Sequence, residues 1–216
     1  MENDNTNDII DVDVIKEEVI EEEKVEDAKE PEKKPTFKEE AIDFIKTFVI
    51  CLGAVWLLTT FVFTPVRVDG MSMYPTLHDD DLGIASIFSA KYLEIERFDV
   101  VVVNDKAANS KDHWVKRVIG LPGETISCMD DVVYINGEPI EEPFLDTEYA
   151  NTQRKNLGFF TSDFDEVTLG EDEYFVMGDN RTNSTDSRYV GPFTRDNITC
   201  KDVLIYYPFS NFKLVK

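Results

Sequence analysis

The hydrophobic pattern of this chain changes character once, sharply. In AIDFIKTFVICLGAVWLLTTFVFTPVRV the apolar positions run together with no polar face at helical spacing. As an α-helix rising about 1.5 Å per residue, Ile42 to Phe63 covers about 33 Å, enough for a bilayer core. Asp43 and Lys46 lie in its first turns, where a lysine stem reaches the interface, so the uncharged part is Thr47 to Phe63. Pro65 ends the run. Residues 41–64 are therefore expected to form one transmembrane anchor, with a buried core helix as the alternative. The acidic stretch ahead of it, and the lack of a small-x-small site at Thr64-Pro65-Val66, favour an uncleaved anchor over a signal peptide. Lys33, Lys34, Lys38 and Lys46 precede the span, whereas Arg67 stands alone after it until Lys91. That asymmetry predicts a cytoplasmic N-terminus and an extracellular C-terminal domain at the cell membrane.

Beyond the anchor, residues 65–216 read as one β-rich domain. VDGMSMYPTL, FDVVVVNDK, HWVKRVIG, ETISCMDDVVYINGEPI, EDEYFVMGD and DVLIYYPF are short β-branched and aromatic runs separated by Gly, Pro, Asn and Asp. Asn136-Gly137 marks a tight hairpin turn. Weak helical spacing occurs from Ser86 to Arg97, and 141–170 shows no clear pattern, so it is expected to leave the sheet.

Charge narrows the partners. The chain carries a formal net charge of −22, and residues 1–40 hold 16 Asp/Glu against 6 Lys with no aromatic before Phe37. Such a segment reads as a solvated, disordered cytoplasmic tail, and the overall sign excludes nucleic acid as a partner. Cys51 lies within the anchor; Cys128 and Cys200 either pair outside the membrane or remain buried thiols. There is no CxxC and no His/Cys cluster, so neither a metal nor a cofactor is expected.

Three polar segments stand out against this background. GMSMYPTL (70–77) places Ser72 between two Met, and a serine hydroxyl is a poor nucleophile until a base takes its proton. His78 and His113 are candidate bases. So is Lys116 in DHWVKRVIGLPGE, whose strand neighbours Trp114 and Val118 share its face and can strip it of water. Lowering a lysine pKa by about three, worth about 4 kcal/mol, makes the amine a competent base near neutrality. Arg117, facing the other way, is then expected at the surface. GDNRTNSTDSRYVG (178–191) is either a solvated turn or the surround of such a base, with Ser184 orienting the amine and Asp186 and Arg188 pinning the loop.

Taken in order after an anchor, SMYPTL, KRVIGLPGE and GDNRTNSTDSR resemble the type I signal peptidases, membrane-bound Ser/Lys proteases, in their single-anchor Gram-positive form. The resemblance runs from about Ile42 to the C-terminus. It implies a mostly antiparallel β-sheet fold, Ser72 as nucleophile and Lys116 as general base. It implies Ser184 as the residue orienting the lysine, Asp186 and Arg188 as a loop-fixing pair, and Gly178, Asp179, Asn180 and Asn183 as shapers of that loop. At Gly70 some relatives carry a serine that donates to the oxyanion, so here the Ser72 N–H is expected to carry more of that task. Thr182 and Thr185 also depart from the best-known versions.

The same resemblance implies pre-proteins bearing Ala-x-Ala cleavage sites as substrates, with Val68, Asp69, Trp114 and Val115 near the pockets. It further implies an apolar surface resting on membrane lipid, for which Met71, Met73 and Tyr74 are suited. A monomer would suffice. The other readings are a relative dedicated to one substrate, such as a pilin, and an inert anchored assembly factor. Retention of Ser72, Lys116 and Ser184 together argues against inertness.

Overall fold

The computed structural model describes residues 36–104 and 113–216. The acidic stretch 1–35 lies outside the described residues. The chain divides into two units, Met1–Ile50 and Cys51–Lys216. Helix α1 (Phe37–Phe61) begins in the first, buries none of its residues, and is long and apolar enough to cross a membrane. It ends before Thr64, where the expected anchor ended, because the chain there becomes strand β1 (Phe63–Arg67). Pro65 is accommodated since β1 is an edge strand, where a missing donor goes unnoticed.

The second unit is an antiparallel β domain. After β1 come β2 (Leu82–Ser86), the short helix α2 (Ile87–Tyr92), β3 (Val100–Asn104) and β4 (His113–Gly120). Next are β5 (Thr125–Met129), β6 (Val132–Ile135), β7 (Glu138–Pro139), α3 (Glu148–Leu157) and β8 (Phe164–Thr168). The chain closes with β9 (Glu173–Met177), α4 (Ser187–Val190), β10 (Phe193–Thr194), β11 (Ile198–Tyr207) and β12 (Lys213–Val215). The larger sheet runs β1-β2-β11-β3-β4-β9-β10, with β12 also on β11; the smaller runs β7-β6-β5-β8.

The Val100–Val103 run has no alternation because both of its faces are covered. One part of the core gathers Val100, Val102, Val203 and Ile205; another gathers Val101, Val103, Val118 and Phe193. The smaller sheet packs Ile126 and Val133 against Ile119, Phe175 and Met177 of the larger. Asn136 and Gly137 both have positive φ (52° and 82°), as the hairpin turn between β6 and β7 demands.

Several expectations are corrected. VDGMSMYPTL is a succession of turns and not a strand. The 141–170 stretch does leave the sheet through a 3-10 turn (Pro143–Leu145) and α3, and only its end, β8, returns to pair in the smaller sheet. Helix α3 escaped notice because it buries only Ala150 and so carries no apolar stripe; its signals are the Thr147 cap and the left-handed Gly158 after it. Cys128 and Cys200 are buried thiols with no disulfide, in separate parts of the core. Burial pushes the Cys128 thiol up to about 12 and raises Cys200 as well.

Candidate active site

The turn carrying Ser72 is anchored at both ends. Val68 N–H donates to the Asp81 carbonyl at 2.9 Å, and Asp80 N–H donates back to the Val68 carbonyl at 3.0 Å. Gly70, at φ +90°, donates its N–H to Asp79 Oδ1 at 2.8 Å, a conformation that favours glycine. Met73 and Leu77 plug the turn into the core at 1% and 0% exposure. Met73 therefore does not face lipid as expected: the turn needs an apolar plug, and Met73 supplies it. Tyr74 lies edge-on between His78 and Tyr149, and of the three residues expected at the lipid Met71 alone is exposed.

Ser72 is thereby presented to β4. Lys116 is 3% exposed, and its Nζ donates to Ser72 Oγ at 2.8 Å, with the Trp114 ring centroid 5.8 Å away. Burial lowers its pKa from 10.5 to about 8; Asp186 and Asp179 pull it back up, and Arg188 pushes it further down. Neither His78 nor His113 hydrogen-bonds Ser72 among the described residues. Arg117 is not at the surface but 5% exposed, its guanidinium lying 4.2 Å from the Phe144 ring centroid. Its guanidinium forks onto Asp179 at 2.8 and 2.7 Å and reaches the Phe98 carbonyl at 2.7 Å. Thr76 Oγ1 donates to the same Asp179 at 2.5 Å, so the pair also holds the turn that carries Ser72.

The loop after β9 closes over both groups. Asp186 accepts from Gly178 N–H at 2.9 Å and from Arg188 Nε and NH2 at 2.8 and 2.9 Å. These donors hold its carboxyl below the ordinary carboxylate range despite burial that would raise it. Asn180 N–H donates to the Ser72 carbonyl at 2.9 Å, and Asn183 N–H donates to the Asn180 carbonyl at 2.9 Å. Ser184 Oγ does not form the expected bond to the Lys116 amine; the hydroxyl lies beside Asp186 and adds to the lowering of that carboxyl's pKa. It packs instead against Gly178, where any side chain would strike it and the Ser72 carbonyl.

An open cleft of about 620 Å³ is lined by Asp69, Gly70, Met71, Ser72, Thr182, Asn183, Ser184, Thr185 and Tyr189. A more apolar cavity of about 510 Å³, with Val66, Val102, His113 and Val115 on its wall, adjoins β4. Of the expected pocket residues, Asp69 lines the first and Val115 the second. Val68 is instead in the core, and Trp114 packs on Phe193 with ring centroids 6.2 Å apart. Among the described residues no group of three or more His, Cys, Asp or Glu is placed to hold a metal ion. Sequence reasoning missed the fully buried Arg181, which donates to the Gly178 carbonyl, Glu142 and Thr161. No signal in GDNR separates that arginine from a surface one.

An antiparallel β domain presenting a serine hydroxyl to a desolvated amine has the parts of an enzyme that cleaves acyl bonds. The chain belongs to the family described as signal peptidase, peptidase S26, whose pattern matches residues 41–207, and its activity is that of a signal peptidase, hydrolysis of peptide bonds. Signal peptidase I S of Bacillus subtilis (strain 168) is 38% identical over 178 residues, spanning 82% of this chain and 94% of that protein. A signal peptidase I of Bacillus amyloliquefaciens is 40% identical over 190 residues, spanning 86% and 98%. A crystal structure of a signal peptidase I from Enterococcus faecalis V583 is 33% identical, with a TM-score of 0.44 over 50% of this chain and 96% of that one.

Proposed function

We propose that this chain is a signal peptidase I that removes signal peptides from exported pre-proteins after Ala-x-Ala sites, by acyl transfer through a Ser72/Lys116 dyad. The observation that carries this reading is the 2.8 Å hydrogen bond from the buried Lys116 amine to Ser72 Oγ. With a pKa of about 8, roughly one amine in ten is neutral at pH 7, against about one in three thousand at 10.5. The neutral amine takes the Ser72 proton as Oγ attacks the scissile carbonyl. The carbon–nitrogen bond then breaks, Lys116 protonates the leaving amine, and water releases the acyl group by the same route in reverse. The Gly70 N–H is engaged by Asp79, which leaves the Ser72 N–H to face the oxyanion.

Asp186 and Arg188 fix the loop, with Gly178 and Asn183 shaping it. Ser184, whose Oγ lies on that loop against Gly178, is the hydroxyl assigned to orienting the amine. Asp69 and Val115 contact the residues before the cut. Helix α1 spans the membrane with the N-terminus inside, the domain works outside beside the lipid, and a monomer suffices. The test is incubation of the detergent-solubilised protein, with lipid, and a pre-protein carrying one Ala-x-Ala site, beside Ser72→Ala and Lys116→Ala. Cleavage after the final Ala by the parent and by neither variant is expected. Processing by either folded variant refutes the dyad.

A further inference from the structure

Helix α3 has little reason to fold from its own sequence, since it buries only Ala150. Yet it is held firmly. Thr147 Oγ1 caps its first turn at 3.1 Å, Arg154 Nε donates to Asp131 at 2.6 Å, and the segment just before it is tied in by Arg181 through the half-buried Glu142. What this bracing fixes in space is Tyr149, in the first turn. Its ring stands edge-on to Tyr74 at 4.8 Å and to Phe160 at 6.0 Å, and its hydroxyl donates to Asn180 Oδ1 at 3.1 Å.

Asn180 is the residue that grips the nucleophile's backbone. Its N–H donates to the Ser72 carbonyl at 2.9 Å and its Nδ2 to the Met71 carbonyl at 3.0 Å. That grip works with the amide one way round only: flipped, Oδ1 would confront the Met71 carbonyl, acceptor against acceptor. The Tyr149 hydroxyl, with Thr182 Oγ1 at 3.2 Å, keeps a donor on Oδ1 and so holds Nδ2 toward Met71.

We infer that Tyr149 is a positioning residue for the peptidase reaction: through the Asn180 side chain it holds the Met71 carbonyl, next to Ser72, so that Ser72 Oγ stays at Lys116. The inference rests on the Ser72/Lys116 dyad of the proposed function. Tyr149 touches neither substrate nor the reacting atoms, so its loss should leave substrate binding and the Lys116 proton alone while the attack geometry loosens. Small displacements of a reacting group are expensive in rate.

The test is Tyr149→Phe in the full-length protein in detergent, which keeps the ring contacts and removes only the hydroxyl, assayed beside Ser72→Ala and Asn180→Ala. The expected result is a kcat lowered about tenfold with KM within about twofold, the effect of one lost hydrogen bond on a step that needs it. The acid-limb midpoint of the rate profile should not move, and the melting temperature should fall by no more than a few degrees. In the Asn180→Ala background Tyr149→Phe should add nothing, because the two act as one chain. A Tyr149→Phe kcat equal to the parent's, beside an inactive Ser72→Ala, overturns the positioning role and leaves the dyad standing. So does a loss that appears as raised KM, or that adds in full to Asn180→Ala. Retained cleavage by Ser72→Ala overturns both readings together.

Discussion

Replacing Lys116 with Met removes the charge while keeping an unbranched apolar stem. In the fold the amine titrates at about 8, below its ordinary 10.5, because burial penalises its cation. Between those two pH values the unfolded chain binds the proton that the folded chain has released, so stability rises with pH across that window. Below pH 8 the destabilisation is fully present and, at about 1.4 kcal/mol per pH unit, amounts to about 3 kcal/mol. The lost hydrogen bond to Ser72 offsets about 1 kcal/mol, so at pH 7 Lys116→Met should be the more stable protein by about 2 kcal/mol, and inactive. The gain should shrink through pH 9 and be gone by about pH 10.5, where half of the unfolded chain's amines are neutral and what is left of the penalty no longer exceeds the lost hydrogen bond. Urea denaturation in detergent at these three pH values, followed by tryptophan fluorescence, measures it. The parent's rate should fall on the acid side with a midpoint near 8. A stability difference that is the same at pH 7 and 10.5, or an acid limb near 10.5, refutes the desolvated base.

Two further predictions concern the groups that hold the dyad. Gly178→Ala places a Cβ against Ser184 and the Ser72 carbonyl, so the loop must leave Ser72; about 1–3 kcal/mol of stability and most of the cleavage activity should be lost, read by thermal melting and the pre-protein assay. Arg117→Met strands Asp179 without its fork and should destabilise by about 3–5 kcal/mol in urea, whereas Arg117→Met with Asp179→Leu should recover most of that, since a matched apolar pair leaves no uncompensated charge.

Pattern made the strands of this domain legible where one face was apolar or a turn had its own chemistry, as in β5 and β6 flanked by Asn136-Gly137. It failed where tertiary contacts supply what local sequence lacks. Val68 to Leu77 alternates like a strand but turns, because Met73 and Leu77 seek the core while Gly70 takes a left-handed φ. Helix α3 has caps without a hydrophobic stripe, and periodicity could not see it. Arg117 looked like a surface residue because a single strand has one outward face, and only Asp179, Phe98 and Phe144, brought there from elsewhere in the chain, make it internal.

By itself the sequence determined the apolar helix, the β character of the domain beyond it, and the three polar segments whose order resembles a signal peptidase. Residue type and spacing along one chain carry that information, because they need no partner distant in sequence. Only the tertiary structure decided that the amine of β4 lies 2.8 Å from the hydroxyl of a turn 44 positions earlier, that it is stripped of water there, and that Asn180 bonds the turn's Met71 and Ser72 carbonyls while Tyr149 bonds Asn180. Desolvation and hydrogen-bond geometry are properties of packing across strands, and no window of sequence contains both sides of the contact.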